Sequence, residues 1–401
     1  MNLKPVLTSD TRPIRLTYCT NVHPLADGAS WRASLALFGA SVRQKLGWET
    51  MPLGLWWQAP LAREAAGDLR GVTDFLREHK LDAFTCNAFP YGNFHDTVVK
   101  TKVYRPNWTS PERLEYTQNC ARLLAAILPE GGFGSISTLP LGWRLDWKTG
   151  DTQIAIRQLL AWVEFARRLE SETGRRLALA LEPEPGCVLE RTSQVLRFWK
   201  DELSPAAASE GLEEVLGRYL GLCYDTCHQA VQFENAESAL TALMRAGIPI
   251  HKMQLSSALV FPSDPARTTK RIRESFAEPK FLHQTRIHRQ DGSQIVADFD
   301  DLPEALATGH WDCPWRTHYH LPLQAETMLG EGGVGTTRQD MLSAYAFALK
   351  HDLCRHFEVE TYTWSVLPEA ERPGSDAELA DAIAGEITFV IEHTPEGILI
   401  N

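Results

Sequence analysis

The sequence predicts an α/β chain folded as a (β/α)8 TIM barrel, and three observations carry that prediction. Eight short apolar runs with strand character alternate with amphipathic stretches of helical period. Most successive runs start roughly 30–50 residues apart, enough for a strand, a helix and their loops. The last four runs end on metal-binding side chains: Leu177 to Glu184, Leu222 to His228, Lys252 to Ser257, and Phe357 to Thr361. Buried charge is costly unless it is paired or on a metal, so four such ends in order point to one cation site at the C-terminal rim of a parallel barrel.

The strands are expected at Ile14–Thr20, Met51–Trp57, Leu81–Phe89, Gly134–Leu141, Arg176–Glu182, Leu220–Asp225, Ile248–Ser256 and His356–Thr361. Helices are expected between them. The first, Ser30 to Leu46, carries apolar residues at Leu35, Leu37, Phe38, Val42 and Leu46. The others cover 61–78, 111–127, 151–173, 191–202, 236–246, 337–350 and 376–392. Ser110-Pro111 places proline in a first helical turn, and Asp151, Thr192 and Thr337 are expected N-caps. The regular spacing fails once, where residues 258–336 form an insertion between strand 7 and helix 7. Within it a hairpin is expected from Phe281–His288 and Gln294–Phe299 about the turn Gln290 to Ser293. A long loop at this end of a barrel serves the site as lid or wall. No repeat, low-complexity tract or linker divides the chain, so residues 1–401 are expected to form a single domain.

Bulk composition fits this reading. The 401 residues are 44% hydrophobic and 23% charged, with a net charge of −11, which leans against nucleic acid as a partner. A local basic group at Arg267, Lys270, Arg271 and Arg273 is the exception. Eight scattered cysteines show no disulfide framework and are expected as reduced thiols. The N-terminal residues lack an apolar signal, and no run nears the ~18 apolar residues of a membrane span. The expectation is a cytoplasmic protein with no transmembrane segment.

Glu182, Asp225, Gln254 and Glu360 are the candidate metal ligands at the strand ends. Their carboxylate and amide oxygens suit Mg or Mn, and imidazole shifts the preference toward Mn, Co or Zn. His318 and His320 face one way on an extended segment and can join them, so one divalent ion is expected, with donors available for a second. Period-two alternation puts Glu184 on the face of Glu182, and Glu358 on that of Glu360. Five hydrophobic residues precede Glu182, and Glu360 lies nearer its strand end, which favours these two as ligands. Glu184 and Glu358 then shape the rim or a deeper layer and contact substrate. His228, three residues after Asp225, is placed at the metal or the substrate. His23, Asn87 and Tyr91 follow the first and third strands and are expected at the pocket mouth, with Trp56, Trp57, Trp143 and Tyr362 as walls. Amides and aromatics there suit a polyhydroxylated or partly aromatic ligand. Gly330 to Gly335 is a tight turn first and a phosphate loop second.

At these residues the chain resembles the xylose-isomerase-like barrel superfamily of sugar isomerases, ketose 3-epimerases, inosose dehydratases and an apurinic endonuclease branch. The resemblance implies ligand roles for Glu182, for Asp225 and His228 in an Asp-x-x-His pattern, and for Glu360. It also implies proton exchange by Glu182 and Glu360 on opposite faces of a substrate carbon. Gln254 departs from the usual histidine. His318-Tyr-His320 and Gly330-Glu-Gly332 are similar to segments of the endonuclease branch, but Asn87 stands where that branch has an early-strand histidine. Longer strings, such as Cys223 to Glu234 and Glu358 to Trp364, are similar to a family of metabolite-traffic proteins. The resemblance implies a metal-dependent isomerase or epimerase acting on a small hydroxy-carbonyl metabolite, with handling of a biosynthetic precursor and contact with a membrane-bound partner of the same pathway. The alternatives are a metabolite-binding scaffold of an export assembly without catalysis, and a metal phosphodiesterase.

Overall fold

The computed structural model describes residues 13–263, 270–289, 295–308, 310–330 and 333–400. Seven parallel strands run in chain order: β1 (Arg15–Tyr18), β2 (Met51–Trp56), β3 (Leu81–Asn87), β4 (Phe133–Thr138), β5 (Arg176–Leu181), β6 (Leu220–Asp225) and β7 (Ile250–Leu255). The insertion supplies β8 (Ser257–Phe261), β9 (Thr285–His288), β10 (Ile295–Phe299), β11 (Trp315–Leu321), β12 (Thr327–Met328) and β13 (Val334–Thr336). The eighth barrel strand is β14 (His356–Val359), which pairs in parallel with both β7 and β1. The sheet order β1-β14-β7-β6-β5-β4-β3-β2 wraps round until β1 meets β2. A parallel bridge between Cys19 and Gly54 and a 2.6 Å bond from Thr17 Oγ1 to the Pro52 carbonyl join that seam. This is a (β/α)8 TIM barrel.

Parallel strands covered on both faces read as near-continuous apolar runs, and β5 shows why the rule bends inside a barrel. Register aligns Ser135 with Ala178 and Ser137 with Ala180 on one face. Leu177, Leu179 and Leu181 alternate onto the other face, fully buried. The inward positions of β4 to β6 are therefore small. The space they leave is filled by long polar side chains from β7 and β14, Lys252, Gln254 and Glu358, all 0% exposed. Gly54 on β2 is required by the same crowding: a Cβ there would lie 1.8 Å from Glu358 Oε1.

The insertion is a six-stranded antiparallel sheet in the order β10-β9-β11-β8-β13-β12. The expected hairpin is present as β9 paired with β10, and its turn lies outside the described residues. The segment from Gly330 to Gly335 joins β12 to β13, so its described part is a hairpin connection. Central β11 presents His318 and His320 to one side. Tyr319 goes to the other, stacked on His283 at 4.0 Å.

Several element expectations need correction. The helix expected over 61–78 is two, Ala59–Ala66 and Leu69–Glu78, because Asp68 accepts from Gly71 N and starts a new N-terminus. Helices Glu213–Tyr219 and Thr226–Val231 were not expected; both are seven residues or shorter, too short for a periodic signal. The cap before 151–173 is Gly150 rather than Asp151, whose carboxylate accepts from Lys148 N instead. Arg191 rather than Thr192 occupies the next cap. Thr337 holds its cap position, but its hydroxyl accepts from Ala258 N and ties the helix to β8. Ser110 and Pro111 stand where expected.

Candidate metal centre and active site

The site begins with a local rule. Asp225 ends β6 and caps the helix Thr226–Val231, its Oδ1 accepting from His228 N at 3.0 Å. Cap geometry thus accounts for the Asp-x-x-His spacing, because a capping carboxylate and the third helical residue share one side of the turn. Glu182 and Glu360 each stand one residue past a strand end. Their backbone N–H groups extend the ladder to Thr138 O and Leu255 O, both at 3.0 Å.

The three carboxylates of Glu182, Asp225 and Glu360 present oxygens within 4.8 Å of one another, all buried. Like charges at that separation repel by about 3–4 kcal/mol per pair at an effective dielectric near 20. Burial, then Glu360 and Asp225, pushes the Glu182 carboxyl well above the usual range. Glu360 is raised in the same way by burial, Asp225 and Glu358. Burial also opposes the charge on Asp225, but His228, His320 and hydrogen bonds from His228 N and Ser256 outweigh it and lower its pKa. Glu182 Oε2 and Asp225 Oδ2 are buried with no hydrogen-bond partner. Such a set holds shared protons or a cation.

Three imidazoles converge beside it. His318 Nε2 lies 3.2 Å from His228 Nε2 and 2.9 Å from His320 Nε2. The opposite nitrogens settle the tautomers. His228 Nδ1 reaches Pro183 O at 3.2 Å, and His320 Nδ1 reaches Glu360 O at 2.7 Å. A carbonyl only accepts, so both Nδ1 atoms carry the proton. His318 Nδ1 meets Gln284 Oε1 at 2.6 Å. The Gln284 amide is oriented by its Nε2 donating to Pro185 O at 3.0 Å, so His318 Nδ1 is also the donor. The Nε2 atoms of His318 and His320 then present lone pairs to one another, with His228 Nε2 as a third nitrogen beside His318. One proton can bridge only one of the two contacts, whereas a cation satisfies all three. Zn–N bonds of about 2.0–2.1 Å imply tetrahedral ligand edges of about 3.3 Å, close to the spacings found. Burial, then the neighbouring histidines, holds His318 well below its ordinary pKa, and burial lowers His320 to about 4. His318 and His320 are therefore neutral donors at pH 7, as metal ligation requires. Glu184 stands beside them, its Oε1 3.7 Å from His318 Nδ1 and accepting from Tyr104 OH at 2.7 Å.

No family model and no curated protein matches the sequence. Solved structures do resemble the fold. An L-ribulose 3-epimerase is 12% identical, with 94% of this chain and 95% of that chain covered at a TM-score of 0.47. A D-tagatose 3-epimerase-like protein gives 12%, 94%, 98% and 0.47, and the IolI protein with a binding zinc atom gives 12%, 94%, 98% and 0.44. The barrel assignment itself rests on the strand order and register above.

The remaining expected site residues divide. Asn87 lines the pocket and donates to Glu360 Oε1 at 2.8 Å; Asn21 donates to the same oxygen at 2.9 Å. His228, Glu184 and Tyr362 also line it. Gln254 lies in register with Asp225 and Glu358, but its Oε1 accepts from Cys223 Sγ at 3.0 Å and its Nε2 faces Glu358 Oε2 at 3.5 Å. Its amide is thus committed below the rim. Glu358 lies in that deeper layer, with Lys252 as partner at 2.6 Å. His23 is fully buried, bonded to Tyr18 OH and stacked on Phe38 at 4.0 Å, because the chain turns inward after β1. Tyr91 packs edge-on against Tyr116, outside the pocket lining. Trp56 and Trp57 are core, and Trp143 stands behind Tyr104 at 4.7 Å. Sequence reasoning missed Tyr104, Gln284 and Lys252. Lys252 was legible: a lysine inside a strand pattern needs a buried partner.

Proposed function

We propose a metal-dependent isomerase or epimerase acting on a small hydroxy-carbonyl metabolite. The observation that carries this reading is the group of buried carboxylates of Glu182, Asp225 and Glu360, two of which line one pocket at the rim. Glu182, Asp225 and Glu360 would hold a divalent ion, and His228, His318 and His320 offer a second donor set. Such an ion supplies polarisation of a carbonyl and its neighbouring hydroxyl. The chain's own contribution is proton handling. Two amide donors on Glu360 Oε1 favour its carboxylate form and fix its orientation, leaving Oε2 to take a proton. Glu182 carries the second exchangeable position at its unpartnered Oε2.

Incubation with ketopentoses and ketohexoses in D2O tests this. Deuterium should enter beside the carbonyl, and Glu182→Gln and Glu360→Gln should each stop it. Exchange that persists in both variants removes the assignment. Failure of every ketose, with metal bound, favours a protein that binds its metabolite without turnover. That outcome fits the narrower proposal that the chain serves precursor traffic in the manner of EboE, in the cytoplasm and against a membrane-bound partner. No helix among the described residues is long and apolar enough to cross a membrane.

The imidazole set beside the carboxylates favours one second reading, a phosphodiesterase with two or three metals. Elemental analysis separates the two. One ion per chain supports the isomerase, and two or more with hydrolysis of bis(p-nitrophenyl) phosphate supports the phosphodiesterase.

A further inference from the structure

The pocket is built of two unlike halves. Its floor holds the carboxylates of Glu182, Glu184 and Glu360, the imidazoles, and the amides of Asn21 and Asn87. Its collar comes mostly from residues 89–104 after β3, with Phe281, Leu282 and Tyr362, and it is apolar. Phe94, Phe281 and Tyr362 pack as a three-ring group with centroids 4.9–5.3 Å apart. Phe89 meets Tyr104 edge-on at 6.0 Å, and Val99 and Val103 complete the wall. Lys100 is the only cation lining the pocket among the described residues, and Asp301 already holds its Nζ at 2.5 Å. The described residues of the connection between β12 and β13 are not part of the lining.

A sugar with a hydroxyl on each carbon would leave several of them unpaired in this collar, and a buried unpaired hydroxyl is costly. A sugar phosphate would find no free cation there among the described residues. We propose that the substrate is an amphiphile, with a hydroxy-carbonyl head on the polar floor and an aromatic or branched apolar body in the collar. This rests on the isomerase reading for the head and on the collar alone for the body.

The test compares two probes with one head, 1,3-dihydroxyacetone and 1-hydroxy-3-phenylpropan-2-one, by calorimetry on the protein as purified. The phenyl probe should bind about tenfold tighter or better, as burial of a ring predicts. Phe94→Ser and Val103→Ser should each cut that ratio toward one while leaving dihydroxyacetone unchanged. Val103 is half-buried, so its variant keeps the test valid if Phe94→Ser fails to fold. A ratio near one, a ratio that survives in Val103→Ser, or no detectable binding of the phenyl probe overturns the proposal. Glu360→Gln reports on the head independently. If it changes neither probe while the phenyl preference stands, the isomerase reading fails and the collar inference does not.

Discussion

Two layers of this barrel bury charge in opposite ways. In the lower layer Lys252 Nζ meets Glu358 Oε2 at 2.6 Å and donates to Ser137 Oγ at 3.1 Å, all fully buried. Burial works against the lysine's charge, but Glu358 outweighs it and raises the lysine pKa. Two residues further along the same strand, Glu182, Asp225 and Glu360 converge on one another rather than on a lysine, beside the imidazoles of His228, His318 and His320. Burial is common to both layers, so burial alone does not mark a site. The difference is that the lower layer pairs its carboxylate with a lysine, whereas the upper one sets carboxylates against carboxylates.

The largest expected break comes at the upper layer. Glu182→Gln combined with Glu360→Gln should remove bound metal and lower turnover about ten-thousandfold, roughly 5 kcal/mol of barrel-rim catalysis. Elemental analysis and deuterium exchange check this, and unchanged metal content would falsify the ligand assignment.

Lys252→Met attacks the lower layer. It leaves Glu358 without its counter-ion and should destabilise the fold by about 3–5 kcal/mol in urea unfolding. Lys252→Met with Glu358→Gln should recover most of that loss. A single variant as stable as the parent would mean that the pair does not neutralise itself.

Glu386 sharpens the comparison, since it is a buried carboxyl outside both groups, bonded to Thr361 beside Glu360. It accepts from Thr361 Oγ1 at 2.5 Å and Leu323 N at 3.1 Å, and burial raises its pKa to about 8. The folded state therefore holds this proton more tightly than the unfolded chain. Stability from this group is complete below the ordinary carboxylate range and is lost as pH rises toward 8, by about 2 kcal/mol after allowing for relaxation. Glu386→Gln keeps both acceptor contacts without the charge. It should match the parent near pH 5 and exceed it in melting temperature near pH 9; equal melting temperatures at both pH values would contradict this.

Gln254→Met should do least. Its amide serves Cys223 and Glu358, so metal content should stay constant and stability should fall by only about 1 kcal/mol. Loss of metal in this variant would restore Gln254 as a ligand and erase the boundary between the layers.

The legible part of the site follows from period. Alternation along β5 and β14 identified Glu182 and Glu360 and warned that Glu184 and Glu358 share their faces. It could not rank the pairs by contact, because rank depends on how far the backbone rises past each strand end. His318 and His320 were visible as a His-x-His pair, yet their meeting with His228 joins residues 90 positions apart across the barrel and an added sheet. His23 shows the reverse error. A histidine just after a strand looked like a rim residue, but the chain turned and packed it on Phe38.

The sequence by itself determined the barrel, the order of its strands and the positions where strands end on carboxylates, since those depend on local period and on chain order. Tertiary structure alone decided which nitrogens face one another, that Lys252 serves Glu358, and that an apolar collar sits over a polar floor. Those are properties of closure. Only when β14 pairs with β1 and β11 folds over the rim do side chains distant in sequence come within hydrogen-bond distance, where sharing or repelling a charge has an energetic consequence.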